Sequence, residues 1–99
     1  MKTSFIGKYV IVRATNAGVF AGILKEKEKD EVILNDCRRI WYWDGAASIS
    51  ELAINGVRKP TNCKFPAPTS EIGIIGVIEI IPCTEKAEAS IRGVKEWHG

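Results

Sequence analysis

The sequence predicts an α+β fold: a small, strongly bent antiparallel sheet or barrel, with a short inserted helix and a C-terminal helix. Three observations carry this. The first half holds β-rich runs joined by short turns, the pattern of an antiparallel meander. A capping-box spacing, Ser48-x-x-Glu51, then breaks that pattern and is followed by Gly56. Last comes a long apolar run with a helical stripe behind it. The 99 residues suit one domain, 1–99.

Taken in order, "KYVIVRAT" (8–15) is rich in β-branched residues and reads as a strand. "NAG" turns the chain, and "VFAGILKEK" (19–27) is a second strand. "EKEKDE" is a solvated hairpin tip. "EVILND" (31–36) and "CRRIWYW" (37–43) read as a third and a fourth strand. A helix over 48–55 has Ile49, Leu52 and Ala53 as its apolar side, with the Ser48 oxygen capping Glu51 and the glutamate reaching back to the serine amide. Residues 57–70 hold three of the four prolines and read as a loop. "EIGIIGVIEII" (71–81) reads as one long strand buried on both faces, bent at Gly73 or Gly76. Thr84 caps a helix over 84–97 whose stripe of Ala87, Ile91 and Val94, with Trp97, offers a subunit interface.

Composition narrows the function. Apolar content of 45% argues against disorder. A net charge of +2 is too small for a DNA-coating protein. Cys37, Cys63 and Cys83 are widely spaced, and the single histidine, His98, is next to last. That set fits three reduced thiols better than a zinc site. A lone terminal histidine also removes the usual nucleophile–base pairs, and no phosphate-binding glycine motif occurs. The reading is therefore no catalytic residue, no metal and no cofactor. Lys8 and Arg13 interrupt the N-terminal apolar run, so it fits neither a signal peptide nor a membrane span, and a cytoplasmic location is expected.

Candidate binding residues concentrate in "RRIWYWDG". On a strand, Arg39, Trp41 and Trp43 share one face, and Arg38, Ile40 and Tyr42 the other. Neither face is purely apolar. Either the rings fill the barrel while the arginines snorkel, or an arginine and a ring line a site for a planar anion. A second group, Arg58, Lys59, Thr61, Asn62 and Lys64, sits on a proline-stiffened loop and supplies charge, hydroxyl and amide.

Two resemblances extend this. "VFAGILKEKEKDEVILND" resembles the strand 2–3 hairpin of Sm-like proteins, which implies an SH3/Sm-like barrel. The Sm fold starts with a helix and carries a basic glycine motif; this chain starts with a strand, and "GIIGVIEI" has no arginine. "RRIWYWDGAASISELA", "KPTNCKFP" and "VIEIIPCTEKAEASI" resemble a family of short bacteriophage proteins carried as a domain of unknown function. That resemblance implies a small accessory protein made inside an infected bacterium.

The favoured reading is a homo-oligomeric anti-defence "sponge" that sequesters a nucleotide-derived immune signal, of the cyclic nucleotide or cyclic ADP-ribose type, without catalysis. Its partner would be a small anionic nucleotide-type ligand and not a membrane. The alternatives are a protein–protein inhibitor of a host enzyme and a barrel that binds single-stranded nucleic acid. The last is possible but not favoured, given the modest charge.

Overall fold

The computed structural model describes residues 5–99. Five strands form one antiparallel sheet: β1 (Tyr9–Ala14), β2 (Gly18–Glu28), β3 (Glu31–Arg39), β4 (Thr69–Ile75) and β5 (Val77–Pro82). Two helices, α1 (Ile49–Asn55) and α2 (Glu85–Gly93), complete it. The strand order is β4-β3-β2-β1-β5. Only Gly76 separates β4 from β5, yet they lie at opposite ends of that order. The sheet must therefore roll until its two ends meet at Gly76, giving a small, partly closed barrel. Gly76 has φ 84°, a left-handed conformation that glycine adopts without strain.

The curvature has local causes. The β2–β3 pairing shifts register between Ala21 and Ile23 and again between Leu24 and Glu26. Extra residues of this kind bend and twist a strand. At the first shift, Asp36 takes φ 51°. Gly22 faces it so closely that a Cβ there would lie 2.9 Å from the Asn35 carbonyl oxygen.

Strand alternation splits the apolar residues into two clusters. Val10, Val12, Phe20, Leu24, Val32, Leu34 and Ile74 pack inside the rolled sheet. Tyr9, Ile11 and Ala21 face the other way, against Leu52, Ala53, Phe65, Ile91 and Val94. Both faces of β1 are thus covered from Tyr9 to Val12. Each fully buried aliphatic or aromatic side chain contributes roughly 1.5–3 kcal/mol.

Several sequence expectations are corrected here. The third and fourth strands, 31–36 and 37–43, are one bulged strand that stops at Arg39. The 71–81 segment is not one strand buried on both sides. It is β4 and β5, the two outermost strands, and Ile75 and Ile78 are 69% and 57% exposed. Its isoleucines reflect rolling at the sheet ends, not a central position. The helix expected over 84–97 ends at Gly93, and its stripe of Ala87, Ile91 and Val94 is core rather than a subunit interface. Loop 57–70 includes a 3-10 turn at Pro60–Asn62 and the fully buried Phe65, and its last residues begin β4. At α1 the Ser48 oxygen accepts from the Glu51 amide at 3.1 Å, but Glu51 Oε1 accepts from Ala47 rather than Ser48, at 2.6 Å.

Candidate functional site

The Ile40 amide donates to Val19 at 2.8 Å, the last sheet contact before the chain leaves β3. Beyond it the alternation of faces breaks down. Trp41 and Tyr42 are both exposed, at 60% and 50%. Tyr42 and Lys64 exchange backbone hydrogen bonds: Lys64 N donates to Tyr42 O at 2.8 Å, and Tyr42 N to Lys64 O at 3.3 Å. Phe65 plugs the core, and its carbonyl accepts from the Trp97 amide at 3.0 Å. Three distant segments are held together in this way.

The result is an aromatic platform with a cation on it. The Trp41 and Trp97 rings stand 4.8 Å apart, 38° from parallel. Lys64 Nζ lies 5.7 Å from the Trp41 ring centre, 5.8 Å from Tyr42 and 5.5 Å from Trp97. These distances are within cation–π range of about 6 Å. The platform therefore offers two things at once: exposed π-faces and a positive charge beside them.

Of the residues singled out from the sequence, Trp41 and Lys64 meet here. Tyr42 was placed on the opposite strand face, a reading that required β3 to continue to Trp43. The sequence groups Trp97 with the stripe of the C-terminal helix. It lies beyond the Gly93 helix end, and an aromatic past a helix stop was the only signal for it.

The other candidates are elsewhere. Arg38 is buried; its guanidinium donates to the carbonyls of Ile91, Val94 and Phe65 and lies 5.3 Å from the Phe65 ring centre. It ties β3 to the α2 C-terminus, where free carbonyls favour a cation. Arg39 lies over Phe20 at 4.5 Å and donates to Ala17 O at 3.0 Å. Trp43 is half-buried, its indole donating to Ala46 O at 3.3 Å. Arg58 pairs with Glu51 at 3.3 Å, and its amide donates to Gly45 O. Asn62 donates to Asp44 Oδ2 at 3.0 Å. Lys59 and Thr61 are exposed on the same turn.

Burial raises the pKa of all three thiols, to about 12 for Cys37 and Cys83. Thiols this protonated at neutral pH are poor nucleophiles. Among the described residues no group of histidine, cysteine and carboxylate side chains could hold a metal ion, and no helix is long and apolar enough to cross a membrane.

Residues 7–91 match the model of the domain of unknown function DUF6948, and the chain belongs to that family. No curated protein matches it. Two heptamers are among the solved structures that share its fold. One is a heptameric archaeal Sm protein, 22% identical with a TM-score of 0.50, covering 81% of this chain and 91% of its own. The other is the P. aerophilum SmAP1 heptamer, also 22% identical with a TM-score of 0.50, covering 81% of this chain and 84% of its own. The Sm-like character read from one hairpin thus extends to the whole rolled sheet.

Proposed function

We propose that this protein is a non-catalytic binding protein that takes a nucleobase and its neighbouring phosphate on the Trp41–Trp97–Lys64 platform. The observation that carries this reading is the exposed Trp41 ring beside the partly buried Trp97 ring, with Lys64 Nζ less than 6 Å from both. Every nucleobase has a π-face, and stacking on an aromatic side chain is worth roughly 1–3 kcal/mol per base. The ammonium beside the rings supplies the phosphate contact.

Two sources carry that chemistry. One is a free nucleotide-derived signal, sequestered in the cytoplasm of a phage-infected bacterium. The other is a single strand. The open platform suits a strand better than a sequestered small molecule, since it gives a base one wall and no enclosure.

The proposal includes a homo-oligomer. The outer edges of β4 and β5 close the strand order, and each carries an exposed isoleucine, Ile75 and Ile78. Joining one copy's β4 edge to the next copy's β5 edge is a head-to-tail contact, which closes into a ring when the rotation allows. Both solved structures compared above are heptamers.

Calorimetric titration with two sets of ligands tests the reading. Cyclic di- and trinucleotides with cyclic ADP-ribose isomers form one set, and short mixed-sequence single strands the other. Heat from the first set alone identifies a sponge, and salt-sensitive heat from the second identifies a strand binder. Silence from both sets removes the proposal.

A further inference from the structure

A second site lies apart from the platform. A cavity of about 510 Å3 opens between the α2 end, the β3 bulge and the start of β4. Two buried polar residues line it, Tyr9 and Arg38, only 5% and 6% exposed. Among the described residues each holds a buried polar atom with no hydrogen-bond partner: the Tyr9 hydroxyl and Arg38 Nε. Buried donors are nearly always paired, so two of them on residues that line one cavity point to an acceptor reached from that side.

The charge argument runs the same way. The other hydrogen bonds of Arg38 go to three neutral carbonyls, and no carboxylate pairs with it. Burial lowers the Arg38 pKa and the Glu96 carboxylate offsets that only through space, with no hydrogen bond, so an anion bonded in the adjoining cavity would stabilise the guanidinium further. Arg92 lines the same cavity, with its guanidinium 4.7 Å from the Tyr9 ring centre. Ser70 adds an exposed hydroxyl. Burial also pushes the Tyr9 phenol well up, so it stays a protonated donor at neutral pH.

We propose that this cavity binds a small oxyanion, a carboxylate or a phosphate, held by the Tyr9 hydroxyl and Arg38 Nε and flanked by Arg92. Asp36 and Glu96 also line the cavity. Their charges oppose a polyanion, and they favour a ligand that carries a hydroxyl or ammonium beside its oxyanion. Arg92 is shared with Glu88, which it contacts at 2.8 Å. The firm anion partners are therefore the two buried donors.

The test uses the full chain, labelled for NMR and titrated separately with inorganic phosphate and with acetate at constant ionic strength. Saturable shifts are expected at the Arg38 Nε–H resonance and at the Tyr9 and Ser70 amides, with one of the two anions binding more tightly. Tyr9→Phe keeps the ring and removes only the hydroxyl. It should weaken the preferred anion roughly tenfold or more, the worth of a hydrogen bond to a charged group. Trp41→Ala should leave that affinity unchanged, which separates this site from the platform. Shifts that never saturate with either anion, or equal affinities in wild type and Tyr9→Phe, overturn the proposal.

Discussion

Trp41 and Trp97 lie 4.8 Å apart between ring centres, although one follows β3 and the other follows α2. Neither ring is needed to fill the core, since Phe65 already plugs the space beneath and is fully buried. A large apolar side chain held in the open by another is unusual for packing and normal for a contact surface. From this relationship the expected behaviour of several variants follows.

Trp41→Ala should fold. Trp41 is 60% exposed, so its loss removes one aromatic pair, worth about 0.5–1.5 kcal/mol. Arg38→Ala should behave in the opposite way. It removes the guanidinium from the carbonyls of Ile91, Val94 and Phe65; the first and last keep the Val94 and Trp97 amides, while the Val94 carbonyl loses its donor, at about 1–3 kcal/mol where buried. Urea unfolding of the two variants should rank Arg38→Ala as far the less stable. The reverse order would mean that the tryptophan, not the arginine, holds this corner.

Hydrogen exchange should be slowest in β1, from Tyr9 to Val12, which has strand neighbours on both sides and buried side chains on both faces. In the assembled ring segment 69–82 should also be protected, because a neighbouring copy covers the β4 and β5 edges, and it should exchange faster in Ile78→Lys. Fast exchange of 69–82 in wild type would show that those edges are free.

Assembly has its own test. Light scattering at tens of micromolar should give a mass above the monomer, and Ile78→Lys should reduce it toward the monomer by placing charge on the β5 edge. A monomeric wild type would remove the ring from the account and leave the platform standing.

A pH effect is expected at the α1 cap. The Ala47 amide, first, and then the Arg58 charge lower the Glu51 pKa below its ordinary 4.5. A depressed carboxyl stabilises the fold above the unfolded-state value, and that contribution disappears as pH falls through the folded-state value. Thermal melts of wild type and Glu51→Gln should therefore differ at neutral pH and converge in acid. A gap that widens on acidification contradicts this assignment.

Some of this was readable from residue order. Ser48, Glu51 and Gly56 lie close together in sequence, and a capped helix is a local property. Gly73 and Gly76 are both candidate bends in the isoleucine run, and residue order does not choose between them. That the bend joins the two ends of the sheet depends on long-range pairing, which the isoleucines do not encode. Alternation put Arg38 and Arg39 on opposite faces, but the α2 carbonyls that draw Arg38 inside lie 53 and 56 residues away. The platform was half legible. Trp41 and Lys64 drew attention by type, whereas Trp97 reaches them only through the Phe65 carbonyl.

The most direct test of the platform compares the binding of one short, mixed-sequence single strand to wild type, Trp41→Ala, Lys64→Ala and Arg39→Ala. Fluorescence anisotropy of the labelled strand at two salt concentrations is sufficient. Wild type should bind, more weakly at the higher salt. Trp41→Ala should lose about 1–3 kcal/mol of affinity, the worth of one stacked base. Lys64→Ala should lose affinity mainly at low salt. Arg39→Ala, whose guanidinium is committed to Phe20 and Ala17, should match wild type. Equal binding by wild type and Trp41→Ala would contradict the account, because the Trp41 ring would then be exposed for some other reason.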